Sequence, residues 1–222
     1  MSKVFSAEHL AELWQPEKQA SKLQGGQVTI IGGSELFHGA PILALVAASR
    51  IVDMVFFSSP SVNGKVAAQI KSLLASFIWV DFKDVETFVR KSDAVLIGPG
   101  LMRYRREHGQ HDGDVCDEAG LETKKMTESL FSKFPEKKWV VDAGSLQVIS
   151  PEVLPKGAII TPNRKEFKML FGVELAEEID EIVEVVEKNA KEFDLNIMLK
   201  GPTSVVSNGY ETWLVEGGSQ GL

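Results

Sequence analysis

Seven short apolar runs alternate with amphipathic stretches, and no other feature limits the possible folds of this chain as sharply. The runs are Gln27–Gly33, Val52–Ser58, Phe77–Val80, Ala94–Ile97, Trp139–Asp142, Ala158–Ile160 and Asn196–Leu199. Each is too short for a helix, rich in β-branched or aromatic residues, and apolar on both sides of its pleat. A strand buried on both faces belongs to a parallel sheet with helices above and below. Helical periodicity falls between them, at Gly39–Ile51, Gly64–Ala75, Val85–Arg90, Leu121–Phe134, Lys165–Phe171 and Glu177–Glu192. Two further strands, Ser204–Ser207 and Glu211–Val215, flank an Asn208-Gly209 turn and read as an antiparallel hairpin at the sheet edge. A short amphipathic helix is expected from Ser6 to Gln15, with Ser6 as N-cap and Leu10, Leu13 and Trp14 on one face. The fold class is therefore α/β: a three-layer α/β/α sandwich, mostly parallel, with an antiparallel edge hairpin.

Nothing in the sequence divides this pattern. No internal repeat or linker interrupts residues 1–222, so one domain is expected. A net charge of −7 argues against a nucleic-acid partner. No apolar run approaches the ~18 residues that cross a bilayer, so no membrane partner is expected. The opening "MSKVFSAEHLAELW" has no apolar secretion core, and the lone Cys116 permits no internal disulfide, so a cytoplasmic location is expected. Cys116 lies in a charged stretch without a convincing His partner and reads as incidental rather than as a catalytic thiol. That stretch, Met102 to Gly120, is aperiodic and reads as a solvated loop or as a lid over the neighbouring strand end. His108 and His111, beside Asp112 and Asp114, lack a helix that would organise them for metal.

In an open parallel sheet, ligands bind beyond the carboxyl ends of the strands. The unusual residues stand there. Gly32, Gly33 and Ser34 end one strand, and Gly98-Pro99-Gly100 ends another as a rigid corner that a bulky ligand can approach. Asp142 follows buried apolar residues and either faces the ligand or caps a helix. Thr161, Asn163 and Glu166 surround a Pro bend, where Glu166 could also serve only the first turn of its helix. Lys200-Gly201-Pro202, with hydroxyls at Thr203 and Ser204, suits a phosphate or a nucleotide.

In order and spacing these motifs resemble the ADP/ATP-dependent NAD(P)H-hydrate dehydratases, a ribokinase-like repair family. Gly39-Ala40-Pro41, Gly98 to Leu101, Asp142 to Leu146, Thr161 to Phe167 and Lys200 to Ser204 match its G-A-P, G-P-G-L, D-A-x-x-L, T-P-[HN]-x-x-E-F and K-G-x-x-[TS] motifs. Met102 stands where the family frequently has Gly. The resemblance implies that ADP or ATP phosphorylates the hydroxyl of hydrated NADH or NADPH, after which loss of phosphate restores the reduced cofactor. It implies that Ala40, Gly98, Gly100 and Asn163 line the hydrated dinucleotide, and that Lys200, Gly201, Pro202, Thr203 and Ser204 hold the adenine nucleotide. Mg²⁺ would bridge the phosphates, with Asp142 and Glu166 nearby and no direct protein cage. A homo-oligomer, dimer or tetramer, and a separate epimerase acting on the same substrate are implied as well. Two other readings share the strand-end layout: a small-molecule kinase of the superfamily for a vitamin precursor or sugar, and a non-catalytic nucleotide-binding module.

The family continues through a G-G-[TQ]-G-D segment whose Asp is the catalytic base and whose helix covers the sheet. No such segment occurs up to the final "GGSQGL". The resemblance therefore places the base and the last helices beyond Leu222, leaving this stretch inactive alone and prone to self-association. Reading the gene past Leu222 checks this: Gly-Gly-x-Gly-Asp is expected shortly downstream, and a stop codon there counts directly against it.

Overall fold

The structure, a computed structural model of the chain, describes residues 2–13, 24–60, 64–103 and 118–217. Its strands are β1 (Lys3–Val4), β2 (Gln27–Ile31), β3 (Met54–Ser58), β4 (Ile78–Val80), β5 (Ala94–Ile97), β6 (Lys138–Val141), β7 (Ile159–Ile160), β8 (Asn196–Leu199), β9 (Thr203–Ser207) and β10 (Thr212–Glu216). They form one sheet in the order β1-β10-β9-β8-β7-β6-β5-β2-β3-β4. From β4 to β8 every pairing is parallel, whereas β9 runs antiparallel to both β8 and β10. The helices are α1 (Gly39–Ala48), α2 (Gly64–Leu73), α3 (Val85–Lys91), α4 (Glu118–Lys133), α5 (Ala143–Leu146), α6 (Arg164–Phe171) and α7 (Ile179–Phe193).

Strand alternation sends neighbouring residues to different layers. In β2, Ile31 joins a cluster with Val89 of α3, Leu130 and Phe131 of α4, Phe167 of α6 and Val186 of α7. Ile30 joins the other, with Leu45 of α1, Val55 and Phe57 of β3 and Ile70 of α2. Helices thus pack on both faces, as the double-sided apolar strands require. Cover on the second face is uneven. Ile160 and Ile197 are fully buried on the first face, while Ile159 and Met198, which alternate with them, remain 43% and 36% exposed.

Strand order reverses direction beside β2. The chain moves from β2 outward to β3 and β4, then returns through α3 to β5 on the other flank and continues through β6, β7 and β8. In open parallel sheets the ligand site lies beyond the carboxyl ends of the strands at such a reversal, here the ends of β2 and β5.

The N-terminus departs from expectation. Residues Ala7–Glu12 form a 3-10 helix with no buried residue, and Leu10 and Leu13 are 51% and 60% exposed. Trp14 and Gln15 lie outside the described residues. Before it, β1 adds a two-residue parallel strand outside the hairpin, too short to show any alternation. It is held by the Phe5 N–H donating to the Leu214 carbonyl at 2.8 Å, by the Lys3–Glu211 pair at 2.7 Å, and by the Lys3 ammonium over the Trp213 ring. The stretch at 104–117, including His108, His111, Asp112, Asp114 and Cys116, and the last residues, 218–222, lie outside the described residues.

Trp139 anchors the larger core. It is 1% exposed, meets Phe131 edge-on, and donates its indole N–H to the Phe134 carbonyl at 3.0 Å. Trp139→Phe removes that donor and opens a small cavity, so a loss of about 2 kcal/mol is expected. A urea midpoint that falls at constant m-value checks it; an unchanged midpoint refutes this picture of the core.

Candidate functional site

Two strand ends interlock beside the strand-order reversal. After β5, Gly98 takes φ 120°, a conformation that L side chains rarely adopt, and it lies against the backbone of Asp142 at the end of β6. A Cβ there would overlap the Asp142 carbonyl oxygen. Gly98 also accepts hydrogen bonds from the N–H groups of Leu101 and Gly144, at 3.0 and 3.3 Å. On the β2 side, the Gly33 N–H donates to the Pro99 carbonyl at 2.8 Å. Gly100, at φ 74°, brings its backbone near the Phe37 carbonyl, the Pro41 ring and Gly33. Pro41 seats the first turn of α1 in this corner, while Ala40 beside it is exposed.

The charged part of the site lies on the next strands. Asp142 precedes α5 with φ −139° and ψ 165°, but its side chain makes no cap hydrogen bond. Instead Asp142 Oδ1 accepts from Lys200 Nζ at 2.7 Å. Asp142 thus holds the N-cap position of α5 without capping it through its side chain. Ala143 follows at φ 46°, a left-handed turn that costs a non-glycine residue roughly 1 kcal/mol and swings the chain into α5. α5 is tied to α4 by the buried Ser145 and Thr127 hydroxyls, 3.1 Å apart.

Glu166 serves the first turn of its helix and also stands beside Lys200. With Asn163 it closes a capping box on α6: Asn163 Oδ1 accepts from the Glu166 N–H, and Glu166 Oε2 from the Asn163 N–H, both at 2.9 Å. Its side chain is only 7% exposed and its Oε2 lies 3.9 Å from Lys200 Nζ. Lys200 is placed by its backbone as well, because its N–H donates to the Pro162 carbonyl at 2.8 Å and it bridges to Asn163. Gly201 and Pro202 are exposed in the turn from β8 to β9, and Thr203 and Ser204 open β9 half-buried.

The geometry brings Asp142, Asn163, Glu166 and Lys200 together, with Gly33, Gly98 and Gly100 in the adjoining corner. Gly98 is buried and shapes the floor through its backbone. Two residues were missed in the sequence. Gln147 donates Nε2–H to Glu166 Oε1 at 2.9 Å, and Arg103 donates to Gln147 Oε1 at 3.2 Å. Gln147 sits one position past the Asp142–Leu146 motif between Leu146 and Val148, and only its polarity in an apolar run marked it.

The surface carboxyls Glu152 and Glu174 are held below the usual range, the first by its own backbone N–H and then Ser150, the second by Lys168. Neither belongs to the cluster. A groove of ≈ 600 Å³, lined by Glu128, Phe131, Pro135, Leu154, Pro155 and Lys156, sits among residues that precede β6 and β7, and no residue of the cluster lines it. Among the described residues, no group of three or more His, Cys, Asp or Glu could hold a metal, and no helix is long and apolar enough to cross a membrane.

The sheet order and layers are those of the ribokinase-like fold. A ribokinase-like superfamily protein from Enterococcus faecalis matches with a TM-score of 0.77 at 19% identity, covering 100% of this chain and 74% of that one. The ADP/ATP-dependent NAD(P)H-hydrate dehydratase of Bacillus subtilis, co-crystallized with ATP/Mg²⁺, matches with a TM-score of 0.75 at 19% identity over 98% of this chain and 74% of that one. At sequence level, residues 28–222 match the carbohydrate-kinase-like family described as NAD(P)H-hydrate dehydratase. The ADP-dependent (S)-NAD(P)H-hydrate dehydratase of Nitrosopumilus maritimus is 32% identical over 213 residues, which cover 90% of this chain and 68% of that protein. The chain belongs to the NAD(P)H-hydrate dehydratase family.

The interlocked corner makes a quantitative expectation. Gly98→Ala meets both a left-handed backbone and an occupied space, so a loss of about 3 kcal/mol or more is expected. Gly172→Ala is the control, since Gly172 has φ 69° but nothing near its Cβ position; about 1 kcal/mol is expected there. Equal urea midpoints for the two variants would show that the interlock contributes nothing.

Proposed function

We propose that this chain carries the substrate and nucleotide sites of a dehydratase that repairs hydrated NADH or NADPH. ADP or ATP converts the added hydroxyl into a phosphate ester, and departure of phosphate restores the reduced ring. The observation that carries this reading is the 2.7 Å pair between Lys200 and Asp142 inside a chain of this family, because it joins two of the family's strand-end motifs in one site.

Lys200, Gly201, Pro202, Thr203 and Ser204 hold the nucleotide phosphates: the ammonium attracts them, and the turn and hydroxyls offer further donors. Ala40, Gly98, Gly100 and Asn163 shape the place of the hydrated ring, where Gly corners admit a bulky ligand. Asp142 and Glu166 hold the Lys200 ammonium in place. The donor set fits Mg²⁺ carried on the phosphates rather than caged by protein, since Mg²⁺ needs only one or two carboxylates beside substrate oxygens. When bound, Mg²⁺ would neutralise phosphate charge.

The reading assigns the general base to chain after Leu222, in the G-G-[TQ]-G-D segment, and treats residues 1–222 as one domain completed by helices there. Exposed Ile159 and Met198 support a cover on that face. It includes a homo-oligomer, supported by Leu36, Leu43 and Ile51 at 67%, 71% and 80% exposure, a cytoplasmic setting, and a separate epimerase acting on the same hydrate. Sedimentation of the completed chain tests the oligomer.

The assay is recovery of absorbance from hydrated NADH with Mg²⁺ and ADP or ATP. It compares the 222-residue chain with one completed by the C-terminal segment of the Nitrosopumilus maritimus relative. Recovery by the completed chain only is expected. Lys200→Met in that chain should lower kcat by about 10²-fold, the effect of losing one preorganised charge donor. A phosphorylated product that persists favours the kinase reading. Nucleotide binding without turnover favours the binding module.

A further inference from the structure

We infer that Gln147 is a positioning residue: by satisfying Glu166 it keeps the Lys200 ammonium on Asp142, where a ligand can reach it. Its amide orientation is determined from both sides. Arg103 has only donors, so the atom facing it is the amide oxygen, at 3.2 Å. The Glu166 carboxylate accepts, so the atom facing it is the amide nitrogen, at 2.9 Å.

Glu166 is the more buried acid of the pair that surrounds Lys200, with 7% of its side chain exposed against 26% for Asp142. Its oxygens take two close N–H donors, from Gln147 on Oε1 and from the Asn163 backbone on Oε2, and Lys200 Nζ stands off at 3.9 Å. Lys200 instead makes its short contact, 2.7 Å, with Asp142. A buried carboxylate stripped of a donor carries a large penalty and draws in the nearest cation. Without Gln147, that cation is Lys200. The ammonium then moves from Asp142 to the buried Glu166 and withdraws from the open side of the site. Arg103 acts one step further out, by keeping the amide from flipping its oxygen against the carboxylate.

The consequence is opposite to that of loosening. If Gln147 only supported the local packing, its loss would expose Lys200. Positioning requires that its loss hide Lys200. The readout is acetylation of Lys200 in the ligand-free chain, followed by mass spectrometry against Lys168, which pairs with Glu174 on the surface. Gln147→Leu is expected to slow Lys200 acetylation about tenfold relative to Lys168, the scale of one hydrogen bond to a charged group. Arg103→Met should act in the same direction, and should add nothing in the Gln147→Leu background. Arg103 is exposed, so that variant decides the matter if Gln147→Leu fails to fold.

A second readout, affinity for a fluorescent ADP analogue, rests on the nucleotide reading of Lys200 and should weaken in both variants. Lys200 acetylation that is unchanged or faster in the folded variants overturns the inference. If the wild-type chain binds no ADP but Lys200 acetylation slows as expected in the variants, the positioning role is upheld and the nucleotide reading is removed instead.

Discussion

The close approach of two backbones, Gly98 after β5 and Asp142 after β6, is the contact on which the site depends. Strands in a parallel sheet lie about 4.8 Å apart, so the loops that leave adjacent strands ordinarily diverge to give each other room. Here they nest, because position 98 carries no Cβ and takes a left-handed conformation. The nesting has effects on both flanks. On one, the Pro99 carbonyl is presented to the Gly33 N–H, which ties β5 to the end of β2 across the strand-order reversal. On the other, the Asp142 main chain is pinned before it turns through Ala143 into α5, which orients its carboxylate toward Lys200.

Charge then decides what such a site can hold. Asp142 and Glu166 carry two negative charges, and Lys200 returns one. Arg103, which donates to Gln147, brings the formal sum of the network to zero, so on a chain of net −7 it offers a bare polyphosphate no net attraction. A phosphate ligand needs additional positive charge, and the described residues offer no protein metal cage that would supply it. Mg²⁺ carried on a nucleotide is one general source of such charge.

The layers were legible in the sequence because burial on both faces makes a strand apolar throughout, and every long run so read is a strand. The residues that gather at the strand ends were legible for a related reason: glycines, a Pro bend and isolated charges directly after apolar runs mark the carboxyl ends of the strands. What escaped notice lacked such a signature. β1 is two exposed residues long, and its pairing with β10 comes from the Lys3 and Phe5 contacts rather than from any period. The helix expected from Ser6 is a 3-10 turn because its i, i+3 leucines, Leu10 and Leu13, meet no core to reward an α-helical face. Gln147 and Arg103 act through each other across 44 residues, a relation that no local spacing encodes.

Register explains why the cation is a lysine. Asp142, Thr161 and Met198 stand at one level, since Val141 pairs with Ile160 and Ile160 with Ile197. Lys200 therefore starts two residues beyond the level of Asp142 and two strands away, about 7 Å along and about 10 Å across. A short side chain cannot close that gap; a four-carbon arm leaning back over the strand ends can. The same arithmetic makes the site intolerant of slippage. Val141 and Leu199 point into the core, and a one-residue shift of either strand would turn Asp142 or Lys200 inward in their place. The fully buried Ile160 and Ile197, at the level of Val141, oppose the same shift, so packing below the sheet's edge holds the ion pair above it.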